Sequence, residues 1–296
     1  MSRSTITLAA CALATLAACN SEPVTPSDDT SIAPSFATSA TGATVITEAD
    51  ITRQAEDTPP LDNWVLYTRL GGNGTFRVGP GDPPEGVGSL ELVTPNPAGL
   101  DKVTLFNFDY HATPIANFTA LGYHTYQSSA LVPIQLPSLN LTIDMNGGAF
   151  VAGDFATLVF EPVYNPAQGP VVPGAWQDWD AISGGAAMWW LTRDHPIIGP
   201  RGTTVTWNAI KAALPNATIL GGIGLNQGTG SPALTASVDA FIVGVSGSST
   251  TYDFEPYVTA SNKSDCKNGG WQNARRSDGG SFKNQGDCVS YTNTGR

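Results

Sequence analysis

Between residues 61 and 255, apolar and aromatic side chains recur in short runs separated by Gly, Pro, Asn and Asp. Bounded runs of this kind predict strands. They fall at Trp64–Leu70, Ser89–Val93, Lys102–Phe108, Tyr123–Gln127, Leu139–Met145 and Thr157–Tyr164. Further runs are Trp176–Ile182, Met188–Leu191, Ile219–Leu225, Val238–Val243 and Tyr252–Phe254. Alternation is clean in several: Leu139, Leu141 and Ile143 share one face, with Asn140 and Thr142 on the other. One helix is expected. Trp207, Ile210 and Leu214 fall at helical spacing after Thr206, a good N-cap, and Pro215 stops the run. Many short strands with turn signals between them predict an all-β sandwich or barrel. No fixed-period repeat is visible.

Composition agrees. Charged residues make up 13% of the 296, well below the usual share of about 25%. With 32 Gly and 22 Pro, the chain favours turns over long helices. A net charge of −11 excludes a general nucleic-acid binder.

The N-terminus reads as an export signal. Arg3 is followed by the apolar run Ile6–Ala18, too short to span a bilayer, and no later segment reaches about 20 apolar residues. Leu16-Ala17-Ala18-Cys19 resembles the lipobox of bacterial lipoproteins, which implies cleavage before Cys19 and acylation of its thiol. Several acyl chains would anchor the chain stably. An ordinary secretory signal cut near Ala18 is the alternative. Ser21–Thr44 is rich in Ser, Thr, Pro and Ala and reads as a tether. The expected organisation is signal peptide 1–18, anchor and tether 19–55, sandwich 56–255 and a C-terminal module 256–296. That last module carries a net charge of +3. Cys266 and Cys288 form an even pair in an exported chain, so a disulfide is expected, restricting the unfolded tail by about 3 kcal/mol. Zinc is poorly served by two cysteines without a nearby His.

Aromatic clustering carries the strongest functional signal. Trp176, Trp179, Trp189, Trp190 and Trp207 lie within thirty-two residues. Exposed indoles stack on sugar rings, while carboxylates and amides take the hydroxyls. On a strand, Trp176, Asp178 and Asp180 share one side, giving a platform beside two acceptors. The competing reading places these tryptophans in the core. Trp189 and Trp190 cannot both face inward, so one of them should be exposed or covered by a loop. Catalysis by carboxylates would draw on Asp178, Asp180 and Glu161. Asp144-Met145-Asn146-Gly147-Gly148 opens like a calcium loop but lacks the later ligands, and a turn explains it more simply. His111, His124 and His195 are the available imidazoles, and no nucleophile elbow, zinc-protease motif or phosphate loop is present.

Gly88-Ser89-Leu90-Glu91-Leu92 and Ser237-Val238-Asp239-Ala240-Phe241-Ile242-Val243 resemble strands of the galactose-binding-like and carbohydrate-binding-module jelly rolls. That resemblance implies a jelly-roll β-sandwich with one short helix, and a structural calcium at Asp239, with no cofactor required. Cys266-Lys267-Asn268-Gly269-Gly270-Trp271 and Ser281 to Tyr291 are similar to a cysteine-bracketed ending of many exported bacterial proteins. Trp271, Phe282 and Tyr291 would pack around its disulfide. The functional expectation is a lipid-anchored envelope protein that binds a glycan or another envelope polymer without catalysis. Trp176, Trp179, Trp189, Trp190, Asp178 and Asp180 would do the binding. The rivals are a carbohydrate-active hydrolase or lyase on the same scaffold, and a purely structural or adhesive protein.

Overall fold

A computed structural model describes residues 42–56, 58–256, 258–272, 274–276 and 280–295. The expected signal peptide, Cys19 and nearly all of Ser21–Thr44 lie outside the described residues. In order, the strands are β1 (Thr44–Ile46), β2 (Thr52–Ala55), β3 (Trp64–Arg69), β4 (Asn73–Val78), β5 (Gly88–Thr94) and β6 (Lys102–Asn107). Then come β7 (Phe118–Ser129), β8 (Ser138–Asp144), β9 (Phe155–Phe160), β10 (Trp176–Asp180), β11 (Met188–Leu191) and β12 (Thr204–Thr206). Helix α1 (Trp207–Ala213) precedes β13 (Thr218–Gln227), β14 (Leu234–Val245) and β15 (Ser248–Phe254). The C-terminal region holds β16 (Val258–Thr259), β17 (Ala274–Arg275) and α2 (Gln285–Thr294). Among the described residues no helix is long and apolar enough to cross a membrane.

The expected all-β class is what the chain adopts: two large sheets, with two α-helices among the described residues. In the first sheet β14 is central. One of its edges pairs with β7 from Thr235 to Val245, and β10 lies beyond β7. Its other edge is divided, Leu234–Val238 pairing with β5 and Phe241–Val245 with β15. The change of partner coincides with a bulge between Asp239 and Ile242, where Ala240 takes φ 46°. A bulge adds a residue and shifts the side-chain phase. Accordingly Val238 faces the core, and after the bulge Phe241 and Val243 do. The second sheet runs β12-β11-β9-β8-β13-β6-β3-β2. Gly224 of β13 lies so near β6 that a Cβ there would stand 2.1 Å from the Leu105 carbonyl oxygen.

The strand pattern explains the core. Leu139, Leu141 and Ile143 face inward from β8 as their alternation predicts, meeting Leu90, Leu121, Tyr123 and Phe241 of the first sheet in one cluster. Helix α1 forms as expected: the Thr206 side chain accepts from Ala209 N–H, and Trp207 and Ile210 are buried. Trp207 stacks on Trp189 at 5.2 Å, and Trp189 on Phe160 at 5.6 Å.

Several expected boundaries move. Residues 44–55, assigned above to the anchor and tether, contain β1 and β2, which pair in parallel with β15 and β3. Both strands lie at sheet edges; β2 is mostly polar, and β1 is only three residues long with Ile46 reaching the core. β9 ends at Phe160, and Pro162–Tyr164 turns into a 3-10 helix, since proline offers no N–H to a ladder. β4 and β12 were not expected: one carries Asn73, Thr75 and Arg77 outward, the other is three half-buried residues long.

The C-terminal module has its own small core. The Cys266–Cys288 disulfide is formed, and Ala260, Ala274, Phe282 and Tyr291 surround it with Trp271 packed alongside. Helix α2 was not expected. Asn284 caps it by accepting from Asp287 N–H, and Gly295 closes it at φ 69°. Arg276 lies over the rings of Phe282 and Tyr291, 4.9 and 5.2 Å from their centroids, and pairs with Asp287 at 2.8 Å.

Two outcomes follow. Trp179→Ala, which empties a fully buried site, lowers unfolding free energy in urea by about 3–5 kcal/mol. Paired Cys266→Ser and Cys288→Ser substitutions weaken the module by about 3 kcal/mol, read as faster hydrogen exchange of the α2 amides with the sandwich unchanged.

Candidate functional site

The expected platform is only partly assembled. Trp176, Asp178 and Asp180 do share the outward face of β10, the edge strand of the first sheet. Trp176 is half-buried, packs on Tyr126 at 5.6 Å and donates its Nε1–H to the Pro80 carbonyl at 2.8 Å. Asp180 caps a turn by accepting from Ile182 and Ser183 N–H at 2.9 and 2.7 Å. Asp178 is 67% exposed and stands 3.8 Å from His124 Nε2. Burial draws the His124 imidazole below its usual range, against the pull of the Asp178 carboxylate. A hollow of about 340 Å³ lies beside the two aspartates, over Gly122 and Ile242.

Trp179 and Trp189 are corrections to the expected ligand-binding set. Both are fully buried between the sheets. Their indole N–H groups are satisfied internally, by Thr125 Oγ1 at 2.8 Å and by the Ala181 carbonyl at 2.7 Å. The large rings fill the space between the sheets, where their area is worth most.

Trp190 is the member of the pair turned outward, as strand geometry requires, and it is half-buried. Its Nε1–H donates to Glu161 Oε2 at 2.7 Å. The two residues line a cleft of about 310 Å³ on the outer face of the second sheet. Pairing of β11, β9, β8, β13 and β6 builds its floor, placing Trp190 beside Val159 and Val159 beside Asn140. A second row sets Ser138 beside Asn226 and Asn226 beside Thr104. These polar side chains form a chain: Thr104 Oγ1 donates to Asn226 Oδ1 at 2.8 Å, Asn226 Nδ2 to Ser138 Oγ at 3.2 Å, and Ser138 Oγ to Asn140 Oδ1 at 3.0 Å. Asn140 Nδ2 has no partner among the described residues, which leaves a donor facing the cleft.

The walls combine apolar and charged side chains. Ile134 on the loop before β8 and Val163 on the Pro162–Tyr164 3-10 helix, 55% and 37% exposed, border the cleft. Lys102 Nζ bonds Glu56, whose other oxygen takes Arg69 at 2.8 Å. Arg69 also reaches Thr229, and Gln135 Nε2 bonds the Gly230 carbonyl, holding the 228–231 loop at the cleft margin. Burial pushes the Glu161 carboxyl up, while the Trp190 bond draws it back down. Asn140, Asn226, Lys102 and Arg201 were not among the expected site residues. They sit on four separate segments: sheet register brings Asn140, Asn226 and Lys102 together, and the loop between β11 and β12 brings Arg201 to them.

Asp239 is fully buried and turned outward from the core just before the bulge. Its oxygens accept from Glu85 N–H and Phe254 N–H, each at 3.0 Å. Asp253 and Glu255 are buried nearby, and Glu255 Oε1 accepts from Val87 and Gly88 N–H at 2.6 and 2.8 Å. Gly86 is held at φ 56°, where a Cβ would meet that oxygen at 1.8 Å. Burial raises the Asp239 carboxyl to about 8 and, with the charge of Asp253, that of Glu255 to about 7. No group of three or more His, Cys, Asp or Glu among the described residues is placed to hold a metal ion. Asp144 accepts from Asn146 and Gly147 N–H, each at 3.0 Å, as the turn reading expects. His111 Nδ1 bonds the Leu220 carbonyl, and His195 sits in its own turn, so neither imidazole joins the cleft.

No family model matches the chain, and no curated protein does. Among solved structures it is similar to a β-1,2-glucanase from Parabacteroides distasonis, at 10% identity and a TM-score of 0.33. That likeness covers 63% of this chain and 23% of the glucanase.

Asp239 and Glu255 make stability depend on pH. Unfolded, each carboxyl ionises near 4. Folded, they hold their protons to about 8 and 7. Their contribution is therefore fully present below pH 4 and is lost as pH rises through 7 and 8. Thermal unfolding midpoints should fall between pH 5 and pH 9. Glu255→Gln keeps Oε1 as an acceptor and should flatten that fall; an unchanged slope would remove Glu255 as a cause.

Proposed function

We propose that the chain is an exported, lipid-anchored protein of a bacterial cell envelope that binds a glycan or another envelope polymer without catalysis. The lipobox resemblance at Cys19 supports the anchor, and the Ser, Thr and Pro-rich segment after it supports a tether that holds the sandwich clear of the membrane. Binding moves from the β10 face to the cleft of the second sheet. The observation that carries it is the half-buried Trp190 ring, fixed by Glu161, in the same cleft as the free Asn140 donor and separated from it by Val159. An indole face for the C–H side of a ring, with amides and a carboxylate for its hydroxyls, is a small-ligand site with few, placed polar groups.

Binding is favoured over hydrolysis by the cleft lining. A glycosidase places two carboxyl groups across its substrate. Among the described residues of this lining, Glu161 is the single carboxylate, and neither His nor Tyr is present for a lyase. The other two expected acids, Asp178 and Asp180, belong to the other sheet.

The test incubates the full chain with soluble and insoluble polysaccharides, reading bound fraction, tryptophan emission, new reducing ends and unsaturated products. Binding with an emission change and no product is expected. Trp190→Ala should weaken it by about tenfold or more, the order of a lost aromatic anchor, while Trp176→Ala leaves it within about twofold. New reducing ends would replace this reading with a hydrolase in which Glu161, its carboxyl raised by burial, is the acid. Binding lost with Trp176 and not with Trp190 would return the site to β10.

A further inference from the structure

Among the described residues, six of the seven arginines are committed to the protein's own groups. Arg53, Arg69, Arg77 and Arg276 form ion pairs with Glu48, Glu56, Glu91 and Asp287. Arg193 donates to the carbonyls of Gly153 and Phe155, and Arg275 to those of Gln272 and Ala274. Arg201 differs. Its guanidinium has no hydrogen-bond or ion-pair partner among the described residues, and it lines the cleft with Trp190 and Thr192. Its backbone N–H is fixed by Asp194 Oδ1 at 2.8 Å, so the loop that presents it is held in place.

The opposing wall has the same sign. Arg69, Lys102 and Glu56 form a three-residue cluster with one positive charge in excess. Glu161, the one carboxylate of the lining, is occupied on Oε2 by Trp190. On a chain of net charge −11, the charged side chains that line this cleft are two cations, Lys102 and Arg201, and one carboxylate, Glu161.

Resting on the glycan reading above, we propose that the ligand is an acidic glycan containing uronic acid, its carboxylate received by Arg201 while a sugar ring lies on Trp190. A guanidinium presents paired N–H donors that match a planar carboxylate, an arrangement an ammonium cannot reproduce. A free arginine at the mouth also gives an otherwise acidic protein the local attraction that an anionic polymer needs to approach.

The experiment uses the full chain with polygalacturonate and alginate, the carboxyl-reduced form of each, and dextran sulfate as a plain polyanion. The expected result is that at least one polyuronate binds about tenfold or more tightly than its reduced form and than dextran sulfate, the strength of a charged hydrogen bond. Arg201→Ala should erase that preference, and Arg201→Lys should keep part of it. Added salt should weaken wild-type binding more than that of Arg201→Ala. Equal binding of a polyuronate and its reduced form overturns the acidic ligand while leaving the glycan reading standing. Dextran sulfate binding as tightly as the polyuronates, or a preference that survives Arg201→Ala, overturns the role of Arg201. Binding of none of these polymers, reduced forms included, removes the glycan reading and this inference with it.

Discussion

The sandwich depends on one irregularity in its central strand. β14 must serve β7 along its whole length while changing partners from β5 to β15 on its other edge. A regular strand that kept alternating would carry Val238, Ala240 and Ile242 inward and leave Phe241 outside. The bulge at Ala240 spends one residue and resets the phase, so that Val238, Phe241 and Val243 all reach the core. Asp239, left just ahead of the step, is covered by the segment from Glu85 to Gly88, and its buried carboxylate accepts from the backbone of Glu85 and Phe254. Core packing and the acidic cluster on the opposite side thus come from the same local geometry.

This also explains what was legible in the sequence. Strand existence was legible wherever bulky apolar residues alternate, as in β8, or run together, as in β3. Polar edge strands such as β2 and β4 hide because their partners, not their side chains, define them. The helix signal at Thr206-Trp207 was complete: cap, spacing and stop. That of α2 was present in Asn284, Asp287 and Gly295 but was masked by a composition that looks like a loop. The tryptophans divide in the same way. Adjacent Trp189 and Trp190 forced one ring outward, and alternation along β10 set Trp176 and Trp179 on opposite faces without saying which face the other sheet would cover. Glu161 and Trp190 are twenty-nine residues apart and meet only because β9 and β11 are neighbours.

The cleft and the β10 face show how differently the two sheets treat polar groups. On β10 the carboxylates are spent, Asp180 on a turn and Asp178 beside a histidine. In the cleft the polar groups are tied to one another through single contacts, which orients Asn140 and Glu161 but leaves them with unused valence. A polar network satisfied on one side only is held rigid and remains able to take a ligand.

The first described residues have a mechanical meaning. β1 joins the first sheet and β2 the second, so residues 44–55 clasp both layers before the chain enters either core. The short turn between them is pinned by Thr47 and Asp50, which bond each other through backbone and side chain at 2.8 and 2.7 Å. Both strands run parallel to their partners. Tension arriving along the chain from before residue 42 would load the hydrogen bonds of β1 together in shear rather than peel them in turn. Glu56, directly after β2, grips Lys102 and Arg69 at the wall of the cleft. Residues 44–56 thus tie both sheets, and the ion-paired cluster beside the cleft, into one connected frame.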